Sequence, residues 1–174
     1  MAYLPREERR AAIVAAALRV IRDGGFASVS ARSVAQEVGG SPGLIHQHFL
    51  SVTDLTADAW RAYVAENLAG FSAVVRSGEA EPVAEFFANH LDPERGAELG
   101  LWADAWAHAL REPGFAAVFT ETLAALTAAL REASGELSVA EAERTVLLGI
   151  ALAGMRRVAP GRYTPELAAI IIGS

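Results

Sequence analysis

The 174-residue chain contains no cysteine and no lysine; all 15 of its basic residues are arginines. Without cysteine it has neither disulfides nor thiolate metal ligands, a composition that suits a reducing compartment. Sustained strand-type alternation is also missing. The opening Tyr3-Leu4-Pro5-Arg6-Glu7-Glu8 lacks the apolar centre of a signal peptide. No unbroken apolar run approaches the ~18 residues of a membrane span, and the longest, from Val146 to Met155, is broken by Gly149 and Gly154. These absences lead to the expectation of a soluble, cytoplasmic protein. Catalytic signatures are lacking too. There is no phosphate loop and no nucleophile-base spacing, and the four histidines stand apart at 46, 48, 90 and 108. An enzyme is therefore not expected.

What remains is a chain that is 52% hydrophobic, enough for a sizeable globular core. The net charge of -6 is unevenly spread. Residues 1–56 hold Arg6, Arg9, Arg10, Arg19, Arg22 and Arg32 against Glu7, Glu8, Asp23, Glu37 and Asp54, which leaves -7 for the rest. Acidity belongs to the later part, and the first third can approach a polyanion.

Helix punctuation runs from end to end. Ile13, Ala17, Val20 and Ile21 share one face of a first helix over about 5–23, which Gly24-Gly25 stops. Ser30 caps a short helix through Val38, and Ser41-Pro42 opens another. Ser51 with Asp54 resembles a capping box and starts a long helix through about Arg76. Asp92-Pro93, Glu112-Pro113, Ser138 with Glu141, and Thr164-Pro165-Glu166 mark later starts. The fold class is all-α, with about nine helices, the last two over 138–157 and 164–172. The division expected is a small helical domain over 1–51 and a larger one over 52–174.

The segment from Ser30 to Phe49 predicts two short helices joined at Gly39-Gly40. Ile45 and Phe49, one turn apart, must face the core, which turns Pro42, Gly43, His46 and Gln47 outward. Gly43 permits close backbone approach, and His46 and Gln47 offer hydrogen bonds to base edges. Ser30 and Ser51 suit phosphate contacts, and Arg32 suits phosphate or base. Periodicity alone leaves a plain helical hairpin equally open. A metal pair at His46 and His48 is disfavoured, because positions i and i+2 point about 200° apart on a helix.

These residues resemble the TetR family. The likeness runs through Gly24-Gly25-Phe26, Ser30-Ala31-Arg32-Ser33-Val34-Ala35, Gly39-Gly40-Ser41 and Gly43-Leu44-Ile45-His46-Gln47-His48-Phe49, followed by Ser51, without gaps. It implies a homodimeric repressor with an inducer-binding second domain. It adds Ser41, Leu44 and His48 to the DNA-contacting set, and implies that 138–172 pairs with its copy. The family usually has Tyr at the position of His46, a small hydroxyl residue at Leu44 and Lys at Val52. Loss of that Lys removes one phosphate contact. A weaker likeness to BetI-type regulators covers Leu99 to Phe115, with no ligand implied.

In the second domain the aromatic residues Trp60, Tyr63, Phe86, Phe87, Trp102, Trp106 and Phe119, with His108, are candidates to line an effector cavity, set against the simpler role of filling the core. Trp102 and Trp106 sit one turn apart and are expected to face one way; Asp104 and His108 form a second such pair. Val146, Leu147, Ile150 and Ala153 form a stripe suited to dimerisation, with Gly149 and Gly154 allowing close approach. No cofactor is expected. The partners expected are operator DNA, a small-molecule effector and a second copy. The rival readings are a ligand-binding protein of the same fold that has lost operator recognition, and a structural adaptor.

Overall fold

Nineteen residues from Arg6 to Gly24 form α1 in the computed structural model, which describes residues 5–91, 100–159, 161–164, 167 and 170. Seven further helices follow: α2 (Ala31–Val38), α3 (Pro42–His48), α4 (Val52–Ser77), α5 (Pro82–Leu91), α6 (Leu101–Ala109), α7 (Pro113–Ser134) and α8 (Val139–Val158). One 3-10 turn, Phe26–Ser28, separates α1 from α2, and the described residues contain no strand. The start expected at Asp92-Pro93 and most of the helix expected over 164–172 lie outside the described residues.

The predicted starts form for the predicted reasons. Ser30 accepts the Ser33 N–H at 3.0 Å while the Ser33 hydroxyl takes the Ser30 N–H at 2.9 Å, closing a reciprocal box. Ser138 and Glu141 form the same device at α8. Ser51 accepts the Asp54 N–H at 3.0 Å and donates to its carboxylate at 2.8 Å. Each box satisfies amide groups that the first helical turn leaves open.

Two compact units divide the chain: Met1–Ala65 with Ala107–Phe119, and Glu66–Trp106 with Thr120–Ser174. In the first, α1 packs on α2 and α2 on α3, around Ile13, Ala16, Ala17, Ile21, Val34, Ala35, Ile45 and Phe49, all buried. A ring cluster lies in the same unit. Phe26 meets Trp60 at 5.7 Å, Phe115 at 5.2 Å and His108 at 5.1 Å between centroids, and Trp60 meets Tyr63 at 5.1 Å. Edge-to-face and offset contacts of this kind add to the burial of large apolar area.

The second unit is built on α8. Gly149 lies against Phe86 of α5, so that a Cβ there would meet the ring at 2.7 Å, and Gly154 faces Ala103 of α6. The two glycines thus admit helices of the same chain. This corrects the dimerisation stripe: Val146, Ile150 and Ala153 are buried within the protomer, and of the four only Leu147 is exposed. Periodicity selects a face but not which neighbour covers it.

Apolar residues predominate in α7, although Thr120-Glu121-Thr122 interrupts its run. This 22-residue helix has a window of mean hydropathy 1.4, long and apolar enough by composition to cross a membrane, with a third of that window buried. It is an alanine-rich helix with Phe115, Val118, Phe119, Leu126 and Leu130 turned inward and Ala117, Ala124, Ala125 and Ala128 outward. Alanine raises hydropathy without requiring burial.

Substituting Gly149 with Val is expected to cost about 1–3 kcal/mol by overpacking against Phe86. Gly70→Ala, on α4 where a Cβ meets nothing within 4 Å, is expected to gain about 0.5–1 kcal/mol from helix propensity alone. Urea unfolding midpoints of the two variants should move in opposite directions.

Candidate DNA-reading interface

The turn between α2 and α3 is set by Gly39, held in the left-handed region at φ 71° and ψ 37°. Its N–H bonds to the Gln36 carbonyl at 3.2 Å and the Gly40 N–H to Ala35 at 2.8 Å, the paired closure that ends a helix abruptly. Leu44 folds back over Gly40, where a Cβ would come within 2.7 Å of its methyl group. Pro42 occupies the first turn of α3, and Ser41 before it makes no side-chain cap bond.

Ile45 and Phe49 are buried, at 1% and 4% exposure. Pro42, Gly43, His46 and Gln47 all lie exposed on the other side, and Ser30, Arg32 and Ser41 are exposed nearby in sequence. Leu44, His48 and Ser51 are half-buried. The hydroxyl of Ser51 is engaged with Asp54, so its first role is to start α4. The face that remains carries an amide, an imidazole and small groups, the chemistry that reads base edges in a major groove.

Most cations around this face are already engaged. Arg19 pairs with Glu37 at 2.5 Å, and Arg10 and Arg61 both reach Asp58. Arg32 is exposed and in no ion pair among the described residues. Beyond α3 the surface is apolar: Leu50 is 99% exposed, and Val52 opens α4.

A short helix anchored on one side, open on the other and delivered by a glycine turn is the reading half of a helix-turn-helix protein. Residues 13–58 match the family described as bacterial regulatory proteins, tetR family. Among solved structures, the multidrug binding protein EbrR complexed with imidazole is 26% identical over 98% of this chain and 95% of its own, with a TM-score of 0.74. A TetR-family member from Streptomyces coelicolor A3 is 27% identical over 95% and 96%, with a TM-score of 0.64. EbrR complexed with proflavin is 24% identical over 94% and 97%, with a TM-score of 0.68. No curated protein matches the chain by sequence. Residues 13–58 are thus similar to the tetR family of bacterial regulatory proteins, and the chain as a whole shares the fold of solved regulators of that kind.

The residues expected around an effector fall into separate groups. Trp60, Tyr63, His108 and Phe119 belong to the ring cluster of the first unit. Phe86 and Phe87 stack edge to face at 5.6 Å in the second, where Trp102 is also buried. Trp106, expected to share the environment of Trp102, is 45% exposed against 3%. The two share a side of α6, but that side leaves the core before the helix ends. Asp104 is exposed, 4.0 Å from Arg157, whereas His108 lies on Phe26. Two groups escaped the sequence reading. Phe26 enters it only through the family likeness in Gly24-Gly25-Phe26, and Glu85 is a buried acid in α5, 2% exposed, flagged only by its place in the apolar run Pro82–Phe87.

Burial lowers the pKa of His108 below its ordinary 6.5, with Arg111 adding to the effect and Glu112 opposing it. The unfolded chain therefore takes up this proton first. The stability contributed is whole above pH 6.5 and is lost as pH falls from there through the lower folded value. His108→Gln should flatten that decline in the thermal midpoint measured from pH 7.5 to 5. At the reading face, Val52→Lys should restore a phosphate contact and steepen the salt dependence of DNA binding by about 0.9 in log–log slope.

Proposed function

We propose that this regulator is a repressor released from its operator by a small-molecule effector. The observation that carries the reading is the anchoring of α3 through Ile45 and Phe49 with His46 and Gln47 turned to solvent. A homodimer would present two such helices to successive major grooves, ~34–36 Å between centres. On α8 the outward residues Leu147, Ala151, Met155 and Val158 are the apolar groups offered to a second copy, within the 138–172 region assigned to pairing.

An effector acts by preferring an arrangement of the heads that does not fit DNA, and it can lower operator affinity only by its differential binding energy. EbrR has been crystallised with imidazole and with proflavin, both flat nitrogen heterocycles. Two separate groups of rings suit such ligands, Trp60, Tyr63, His108 and Phe119 in the first unit, and Phe86, Phe87 and Trp102 in the second, where Glu85 is a buried acid. Trp106, at the surface, is the weakest member of the set.

The exposed Leu50 and the absent lysine at Val52 favour one alternative, a ligand-binding protein of this fold with little operator affinity. Mobility shift of the full chain on DNA from its own upstream region separates the two. A discrete complex at low salt that proflavin weakens about 5- to 150-fold is expected. A discrete complex indifferent to saturating, demonstrably bound proflavin removes release by that ligand, and no discrete complex at any salt favours the alternative.

A further inference from the structure

Arg10 of α1 makes two hydrogen bonds and a ring contact through one guanidinium. Nη1 donates to the carbonyl of His48 at 2.6 Å, Nη2 donates to the Asp58 carboxylate at 2.5 Å, and the plane lies 4.1 Å over the ring of Phe49. Arg10 on α1 thereby joins two other elements, the C-terminal end of the reading helix α3 through His48 and Phe49, and the first turns of α4 through Asp58. His48 is the last residue of α3, so its carbonyl has no acceptor role within the helix and is open to an outside donor. Arg61 reaches the other oxygen of Asp58 at 3.3 Å and steadies that carboxylate.

Between Gly39 and Ser51 the reading helix is otherwise held by apolar contact through Ile45 and Phe49, which fixes its depth but leaves rotation about that contact weakly defined. Hydrogen bonds to charged groups are directional and stronger than neutral ones. The bridge also forms part of the wall of an open cleft of about 500 Å³. Side-chain exposures of 39% for Arg10 and 30% for Asp58 mean that removing either leaves the other within reach of water, and Asp58 keeps Arg61, so single variants should fold.

We propose that Arg10 is a positioning residue for DNA recognition. It ties the end of α3 to α1 and α4 and so sets the angle at which His46 and Gln47 meet base edges, without touching DNA itself. This rests on the DNA-reading function proposed above. It assigns Arg10 a part distinct from that of Arg32, whose guanidinium is in no ion pair among the described residues.

The test uses the full chain and a duplex selected by the wild-type protein from a random pool, beside a scrambled duplex, over a range of salt. Arg10→Gln and Asp58→Asn are each expected to weaken the selected complex about tenfold, to leave scrambled binding unchanged, and to keep the wild-type salt slope. The double variant should be no weaker than Arg10→Gln alone. A slope reduced by about 0.9 in Arg10→Gln would make Arg10 a phosphate contact. That result, equal losses on both duplexes, or losses that add in the double variant would each overturn the proposal. If the wild-type protein selects no sequence, the DNA-reading function itself fails. Amide exchange then decides the bridge: faster exchange at Ile45 to Phe49 in both variants, with Ile13 and Val34 unchanged, supports it, and unchanged exchange overturns it.

Discussion

Burial of two side chains, Ile45 and Phe49, governs how this chain can meet DNA. They hold a helix of only seven residues, too short to persist by its own hydrogen bonds. Tertiary contact must supply its stability, and because that contact consumes one side, the composition of the other side becomes the binding surface. Gly39 makes the arrangement possible by turning the backbone through a left-handed conformation that side-chain-bearing residues rarely adopt. The Arg10 bridge then completes the placement with directional bonds at the far end of the helix.

How far this was legible in the amino-acid sequence differs between local and long-range features. Ser30, Ser138 and Ser51 begin helices through partners three residues away, and Pro42 and Pro113 stand at the first position of theirs. Such signals lie within one turn, and the element boundaries follow them closely. The inward direction of Ile45 and Phe49 was likewise readable, because a seven-residue helix has one apolar side.

The features that went unread depend on which neighbour arrives from elsewhere in the chain. Val146, Ile150 and Ala153 are a face of α8 under either fate, pressed on a partner or on the same protomer; Phe86, some sixty residues earlier, settles it at Gly149. Trp102 and Trp106 have the same helical phase but not the same cover. Phe26 stands in a three-residue turn with no periodicity to place it, yet it touches Trp60, His108 and Phe115. Arg10 was counted as a charge near DNA, and its engagement with His48, Phe49 and Asp58 rests on separations of up to 48 residues.

The exclusive use of arginine has a consequence for how such a protein can be controlled. Acetylation weakens many nucleic-acid-binding proteins by neutralising side-chain amines, and this chain presents none. Its guanidinium groups stay charged at any physiological pH, and those of Arg10, Arg19 and Arg61 are engaged in planar, directional contacts with Glu37, Asp58 and the His48 carbonyl. The positive charge of the reading head is thus insulated from that covalent signal.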